Sequence, residues 1–153
     1  MASQHALVPF AMSRITGCSN LRELAFVAHN LVKRCYGLIN EKRIGQCTLV
    51  AARVKRLAIA EYINVGDSRA YLLTPNGFVQ RNYSCRQLTI DQTHGERKKR
   101  VAYEQPEKFR DDMMVHAIGY RLIPEEIEIG SFSIPPGGML LLATDGFFKG
   151  MGD

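Results

Sequence analysis

Apolar residues recur at helical spacing through Leu21, Leu24, Ala25, Ala28, Leu31, Val32, Cys35 and Ile39, while Arg22, Lys33 and Arg34 stay off that stripe. Ahead of it, Asn20-x-x-Glu23 has the form of a capping box, so the pattern predicts an amphipathic helix with one face laid on a core. His29 and Asn30 fall inside it and read as partly exposed helix residues. From Cys47 the period changes to that of strands. Thr48 to Val54 reads as one strand, Lys55-Arg56 as a short turn, and Leu57 to Val65 as its hairpin partner. Arg69 to Thr74 is a third strand, and Pro75-Asn76-Gly77 is a tight turn into Phe78-Val79-Gln80, because Gly77 tolerates positive φ. Together these segments predict an antiparallel meander.

Thr89 to about Tyr120 is polar and charged, predicting short helices and a flap-like loop. Glu126 to Ile134 alternates as a strand, and Pro135-Pro136-Gly137-Gly138 turns it into Met139 to Ala143. The unbroken apolar run of that last strand predicts burial on both faces. A helix followed by many antiparallel strands points to an α+β layered sandwich. No internal repeat or low-complexity linker interrupts it. Residues 1–19, with Pro9 and small residues, read as an irregular segment, and 20–153 as one domain.

Composition narrows the classes. A chain of 153 residues with 46% hydrophobic and 23% charged positions suits one soluble domain with its own core. No apolar run approaches the roughly 20 residues that span a bilayer. The first ten residues carry no basic leader, so a cytoplasmic protein without membrane attachment is expected. Cys18, Cys35, Cys47 and Cys85 are scattered and form no Cys-x-x-Cys pair. They read as reduced thiols rather than a disulfide framework or a structural zinc site. Much of the +5 net charge comes from Arg97-Lys98-Lys99-Arg100. Glu96, Glu104, Glu107, Asp111 and Asp112 flank that run, which reads as a solvated helical face. No RNP, zinc-finger or helix-turn-helix signature accompanies it, so no nucleic-acid partner is expected. A basic surface equally attracts phosphorylated, acidic substrates.

Two aspartates stand out. Asp67 follows Leu57 to Val65 and Gly66; Asp145 follows Met139 to Ala143 and Thr144. Each carboxylate can be an ordinary turn residue, Asp67 accepting backbone N–H groups with Arg69 pairing nearby. Each also ends a strongly apolar strand, the stiff support a preorganised metal site requires. Carboxylates without partner histidines favour Mg²⁺ or Mn²⁺ over zinc. His94 and His116 have no paired ligand spacing, Gly137-Gly138 lacks the Lys-Ser/Thr of a P-loop, and Asp111-Asp112 reads as the start of a helix at Met113.

Five segments, in order, resemble the metal-dependent PPM-type serine/threonine protein phosphatases, the type 2C class. They are Gln46 to Ala52, Asn64-Val65-Gly66-Asp67-Ser68-Arg69-Ala70-Tyr71, Gln87 to His94, Ala117-Ile118-Gly119, and Leu140 to Phe147 with its Thr144-Asp145-Gly146 step. The resemblance covers the chain from about Asn20 onward. It implies an α-β-β-α sandwich of two antiparallel sheets flanked by helices, here incomplete, with Mg²⁺ or Mn²⁺ in a cleft at one edge. It further implies hydrolysis of phosphoserine and phosphothreonine by a metal-activated water, on phosphorylated protein substrates of a Ser/Thr kinase pathway. By position, Asp145 corresponds to a ligand of the main metal pair and Asp67 to a ligand of a weaker third metal. Two departures accompany it. The family's first motif, an Asp-Gly step in an Asp-Gly-x-Gly-Gly type stretch, has no counterpart before Asn20, and its last, an Asp-Asn pair, would fall beyond Asp153. Arg14 is a poor match to the family's phosphate-binding arginine. The alternative reading is a catalytically inactive or truncated phosphatase-like scaffold that acts by binding.

Overall fold

The structure is a computed structural model that describes residues 6, 7, 9, 10, 20–37, 45–77, 82–100 and 110–150. Helix α1 (Leu21–Gly37) is followed by strands β1 (Leu49–Val54), β2 (Ile59–Val65), β3 (Arg69–Pro75) and β4 (Tyr83–Gln87). Then come helix α2 (His94–Arg100), strands β5 (Glu128–Ser133) and β6 (Met139–Ala143), and the short helix α3 (Asp145–Phe148). The strands form two antiparallel three-stranded sheets, ordered β1-β2-β5 and β4-β3-β6. This is the α+β architecture of paired antiparallel sheets with helices that the sequence pattern predicts.

The helix forms where the periodicity places it. The Asn20 side chain accepts hydrogen bonds from the backbone N–H groups of Arg22 at 3.0 Å and Glu23 at 3.4 Å, satisfying donors that the helix start leaves open. Its apolar stripe (Leu21, Leu24, Ala25, Ala28 and Val32) packs with Leu49, Ile63, Val65, Ile118, Leu122 and Ile127 in one buried cluster. Ile63 and Val65 face α1, so by the period of two Tyr62 and Asn64 face the other way. There the Tyr62 hydroxyl donates to the Leu88 carbonyl at 2.8 Å. Asn64 Nδ2 donates to the Ile90 carbonyl at 3.2 Å and to Glu128 at 3.3 Å. Those bonds join the first sheet to the 88–92 segment that runs on from β4.

Several local expectations are corrected. The strands do not make one meander: β2 and β3 belong to different sheets, and the chain crosses between them at Gly66–Ser68. Leu57 and Ala58 sit in the β1–β2 turn rather than in β2, with φ of 60° and 56°. Two successive positive φ values match the right-handed twist of the hairpin, and this leaves Leu57 91% exposed. The strand that pairs with β3 is Tyr83–Gln87, with Pro75 opposite Tyr83; Phe78-Val79-Gln80 lies outside the described residues. Strand β6 is not buried on both faces. It is an edge of its sheet, with Met139 and Leu142 exposed. His29 is buried rather than partly exposed, because its helix face meets the Gly119 turn, whose N–H donates to His29 Nδ1 at 3.1 Å. Among the described residues Cys35, Cys47 and Cys85 are free thiols, and no helix is long and apolar enough to cross a membrane.

Candidate metal centre

The register of the second sheet brings the two strand-end aspartates together. Arg69 of β3 lies opposite Ala143 of β6 in an antiparallel pair. The residues before Arg69 and those after Ala143 therefore leave the sheet at the same end. Asp67 and Asp145 emerge there, and both line a cavity of about 640 Å³ together with Arg97, Asp112, His116, Arg121 and Lys149.

The turn carrying Asp67 is held from several sides. Gly66 has φ of 105°, and a Cβ there would stand 2.6 Å from Thr48 Cγ2, so the chain can cross between sheets at this point only as glycine. Gln92 clamps the same residue: its Oε1 accepts from Gly66 N–H at 2.9 Å, and its own N–H donates to the Gly66 carbonyl at 2.9 Å. Ser68, 2% exposed, is bonded to Thr48 hydroxyl-to-hydroxyl at 2.7 Å. Arg69 does not pair with Asp67. Its guanidinium takes Asp91 in fork geometry, with Nε to Oδ1 at 3.0 Å and Nη2 to Oδ2 at 2.7 Å, and lies 3.7 Å over the Phe148 ring. One arginine thus ties the Asp67 turn, the 88–92 segment and the helix that carries Asp145.

Asp145 opens α3, and Lys149 one turn later donates to its Oδ2 at 3.0 Å. That bond holds the Asp145 carboxyl below its ordinary range. Asp67 is pushed the opposite way, first by burial and then by the Asp145 charge, with the Lys149 charge opposing. The corner therefore holds two like charges in one partly dry place and one ammonium beside them.

Carboxylate oxygens are the donors a hard dication takes, and in that respect Asp67 and Asp145 fit Mg²⁺ or Mn²⁺. In number they fall short: among the described residues no group of three or more His, Cys, Asp or Glu side chains could hold a metal ion. Two carboxylates are too few for a pair of dications.

The structure gathers residues that sequence reading set aside. Asp111-Asp112 starts no helix. The Asp111 carbonyl accepts from Gly95 N–H at 2.9 Å, and Asp112 lines the cavity with its carboxylate on Arg110 at 2.6 Å. His116 shares the cavity, its Nδ1 within 3.0 Å of Glu126 and 2.7 Å of the Arg121 carbonyl. Lys149 was legible only as the position four beyond Asp145, where one helical turn brings side chains together. The Arg97–Arg100 side chains are exposed, as expected of a solvated face, with Lys99 and Arg100 paired to Glu96, but Arg97 also borders the cavity.

No family model and no curated protein sequence matches the chain. Solved structures do. The Mycobacterium tuberculosis serine/threonine phosphatase PstP/Ppp superposes with a TM-score of 0.70 at 18% identity, over 95% of this chain and 61% of that one. The catalytic domain of PstP in complex with two manganese ions gives 0.69 at 20% identity, over 95% and 60%. The PPM Ser-Thr phosphatase MsPP from Mycobacterium smegmatis, in complex with cacodylate, gives 0.68 at 24% identity, over 95% and 62%. The chain has the fold of the PPM-type serine/threonine phosphatases, and it spans about three fifths of the length of these structures.

Proposed function

We propose that this chain is part of a metal-dependent phosphatase domain that hydrolyses phosphoserine and phosphothreonine in proteins, and that Asp67 and Asp145 are its contribution to an Mg²⁺ or Mn²⁺ site. The observation that carries this reading is the delivery of both strand-end aspartates into one cavity by the β3–β6 register. The likeness of fold to PstP, which holds two manganese ions in one solved structure, supports it. Asp67 and Asp145 would be this chain's share of the ligands, and a dication held with them would supply an acidified water for attack on phosphorus.

The chain's own residues do the rest of the work available here. Arg97, Arg121 and Lys149 give the cavity a cationic lining suited to a phosphate dianion. The Gln92 clamp on Gly66 and the Arg69–Asp91 fork hold the Asp67 turn at the sheet end. The phosphorylated protein would come from a Ser/Thr kinase pathway, and an intracellular compartment goes with that reading.

Manganese-dependent hydrolysis of p-nitrophenyl phosphate tests it. Turnover that rises with Mn²⁺ and is lost in Asp145→Asn supports the reading, whereas a folded sample inert at millimolar Mn²⁺ removes it. A second reading, a phosphatase-like scaffold that binds without turnover, is favoured by one observation: the described residues supply fewer ligands than a metal pair needs. It predicts retention of a phosphothreonine peptide in the absence of turnover.

A further inference from the structure

Helix α2 stands among three cavities, and its basic run borders all of them. Arg97 lines the large cavity described above and, together with Arg100, a second one of about 330 Å³. Their i,i+3 spacing sets these two arginines on one face of the helix. Lys98 and Lys99 line a third cavity, of about 410 Å³. The 330 Å³ cavity has an apolar part in the half-buried Ile90 and Val115, with the exposed Arg97 and Arg100 at its border. Its two carboxylates are already engaged, Asp91 by Arg69 at 2.7 Å and Glu126 beside His116 Nδ1 at 3.0 Å. Arg100 also reaches Glu96 at 3.5 Å, a solvent-facing pair that opens at little cost.

We propose that α2 is the docking face for an acidic segment of a partner protein, with Arg97 and Arg100 receiving its carboxylates. A glutamate or aspartate side chain joins a short aliphatic stem to a carboxylate. The cavity offers Ile90 and Val115 to the stem and two guanidinium groups to the charge. Val115, His116 and Arg97 line this cavity and the large one alike, so a segment seated here lies next to the space that Asp67 and Asp145 share. The charge pattern favours a peptide over a nucleic acid. A phosphate backbone is tracked by a continuous cationic groove, and here Asp67, Asp111 and Asp112 line the third cavity together with Lys98 and Lys99. A short acidic segment needs only the Arg97–Arg100 face. That the docked protein is a substrate rests on the phosphatase reading; the docking itself uses neither a metal ion nor a phosphate group.

Fluorescence anisotropy of a labelled peptide of alternating glutamate and serine, without phosphate or added metal, tests this on the full chain. The glutamate peptide should bind, and its glutamine counterpart should bind about tenfold more weakly or worse. Arg97→Gln/Arg100→Gln should weaken the glutamate peptide about 5- to 30-fold, as expected for two solvent-facing ion pairs. Arg100→Gln alone should weaken it about 2- to 5-fold, which keeps the test decisive if the double variant melts early. Arg56→Gln removes an equal charge from the exposed β1–β2 turn, at the opposite end of β2 from Gly66, and should have less effect than Arg100→Gln. Equal effects of Arg100→Gln and Arg56→Gln reduce the binding to net charge and overturn the proposal. Absence of glutamate-peptide binding, or equal binding of the two peptides, also overturns it. So does a single-stranded oligonucleotide of the same net charge that binds more tightly than the peptide and is lost in Arg97→Gln/Arg100→Gln, which assigns the face to nucleic acid. Each of these outcomes leaves the phosphatase reading to its own test, since no turnover is measured.

Discussion

Arg69 of β3 faces Ala143 of β6, and this one pairing decides where the chemistry of the chain can sit. The two residues are far apart in sequence, yet their register sends Asp67 and Asp145 out of the sheet at the same end. Arg69 then reinforces the geometry through its side chain, with Asp91 on one side and the Phe148 ring on the other.

Arg69→Lys tests that reinforcement. Lysine keeps the charge and loses both the fork on Asp91 and the flat contact with Phe148. Because the pair is largely buried, the expected loss is about 1–3 kcal/mol of unfolding free energy, read by urea denaturation. A loss below about 0.5 kcal/mol would show that the turn is held by Gln92 and Ser68 alone.

Gly66→Ala should be among the most damaging small substitutions in the chain. It combines a positive φ with a Cβ placed 2.6 Å from Thr48 Cγ2. About 2–4 kcal/mol of destabilisation is expected. Gly146→Ala, with nothing within 4 Å of the added Cβ, should lie within about 0.5 kcal/mol of the parent or above it. Equal effects at the two positions would contradict the tight crossing between sheets.

His29 predicts a pH dependence. Its pKa is lowered, first by burial and then by the Lys33 charge, with the Ala117 backbone partly opposing. A histidine whose folded pKa is depressed keeps its stabilising contribution above the ordinary histidine range and loses it as pH falls through the folded value. The melting temperature should therefore drop between about pH 7 and about pH 5. The drop should shrink in His29→Phe, which cannot take a proton. A drop of equal size in both would place the titration elsewhere.

The parts of this account that the sequence showed are those that local pattern controls. The α1 stripe, its Asn20 cap and the apolar run ending at each aspartate all follow from residues within a turn or two of one another. The parts it hid are non-local. Alternation along β2 and β3 is the same whether they share a sheet or not, so their separation into two sheets was not readable. Likewise, the burial of His29 depends on a turn ninety positions away. The shared cavity depends on the β3–β6 register. Lys149 comes beside Asp145 only through the turn of helix that follows β6, which the apolar strand pattern does not show. Whether Asp67 or Asp145 holds a metal was open in the sequence and is what the remaining experiment addresses.

Release of inorganic phosphate from a phosphothreonine peptide, followed against Mn²⁺ concentration in the parent chain and in Asp145→Asn, tests the central claim most directly. The account predicts a Mn²⁺-dependent rate that falls by about 100-fold or more in Asp145→Asn, with the fold retained by circular dichroism. A rate independent of Mn²⁺, or equal in the two proteins, would contradict it.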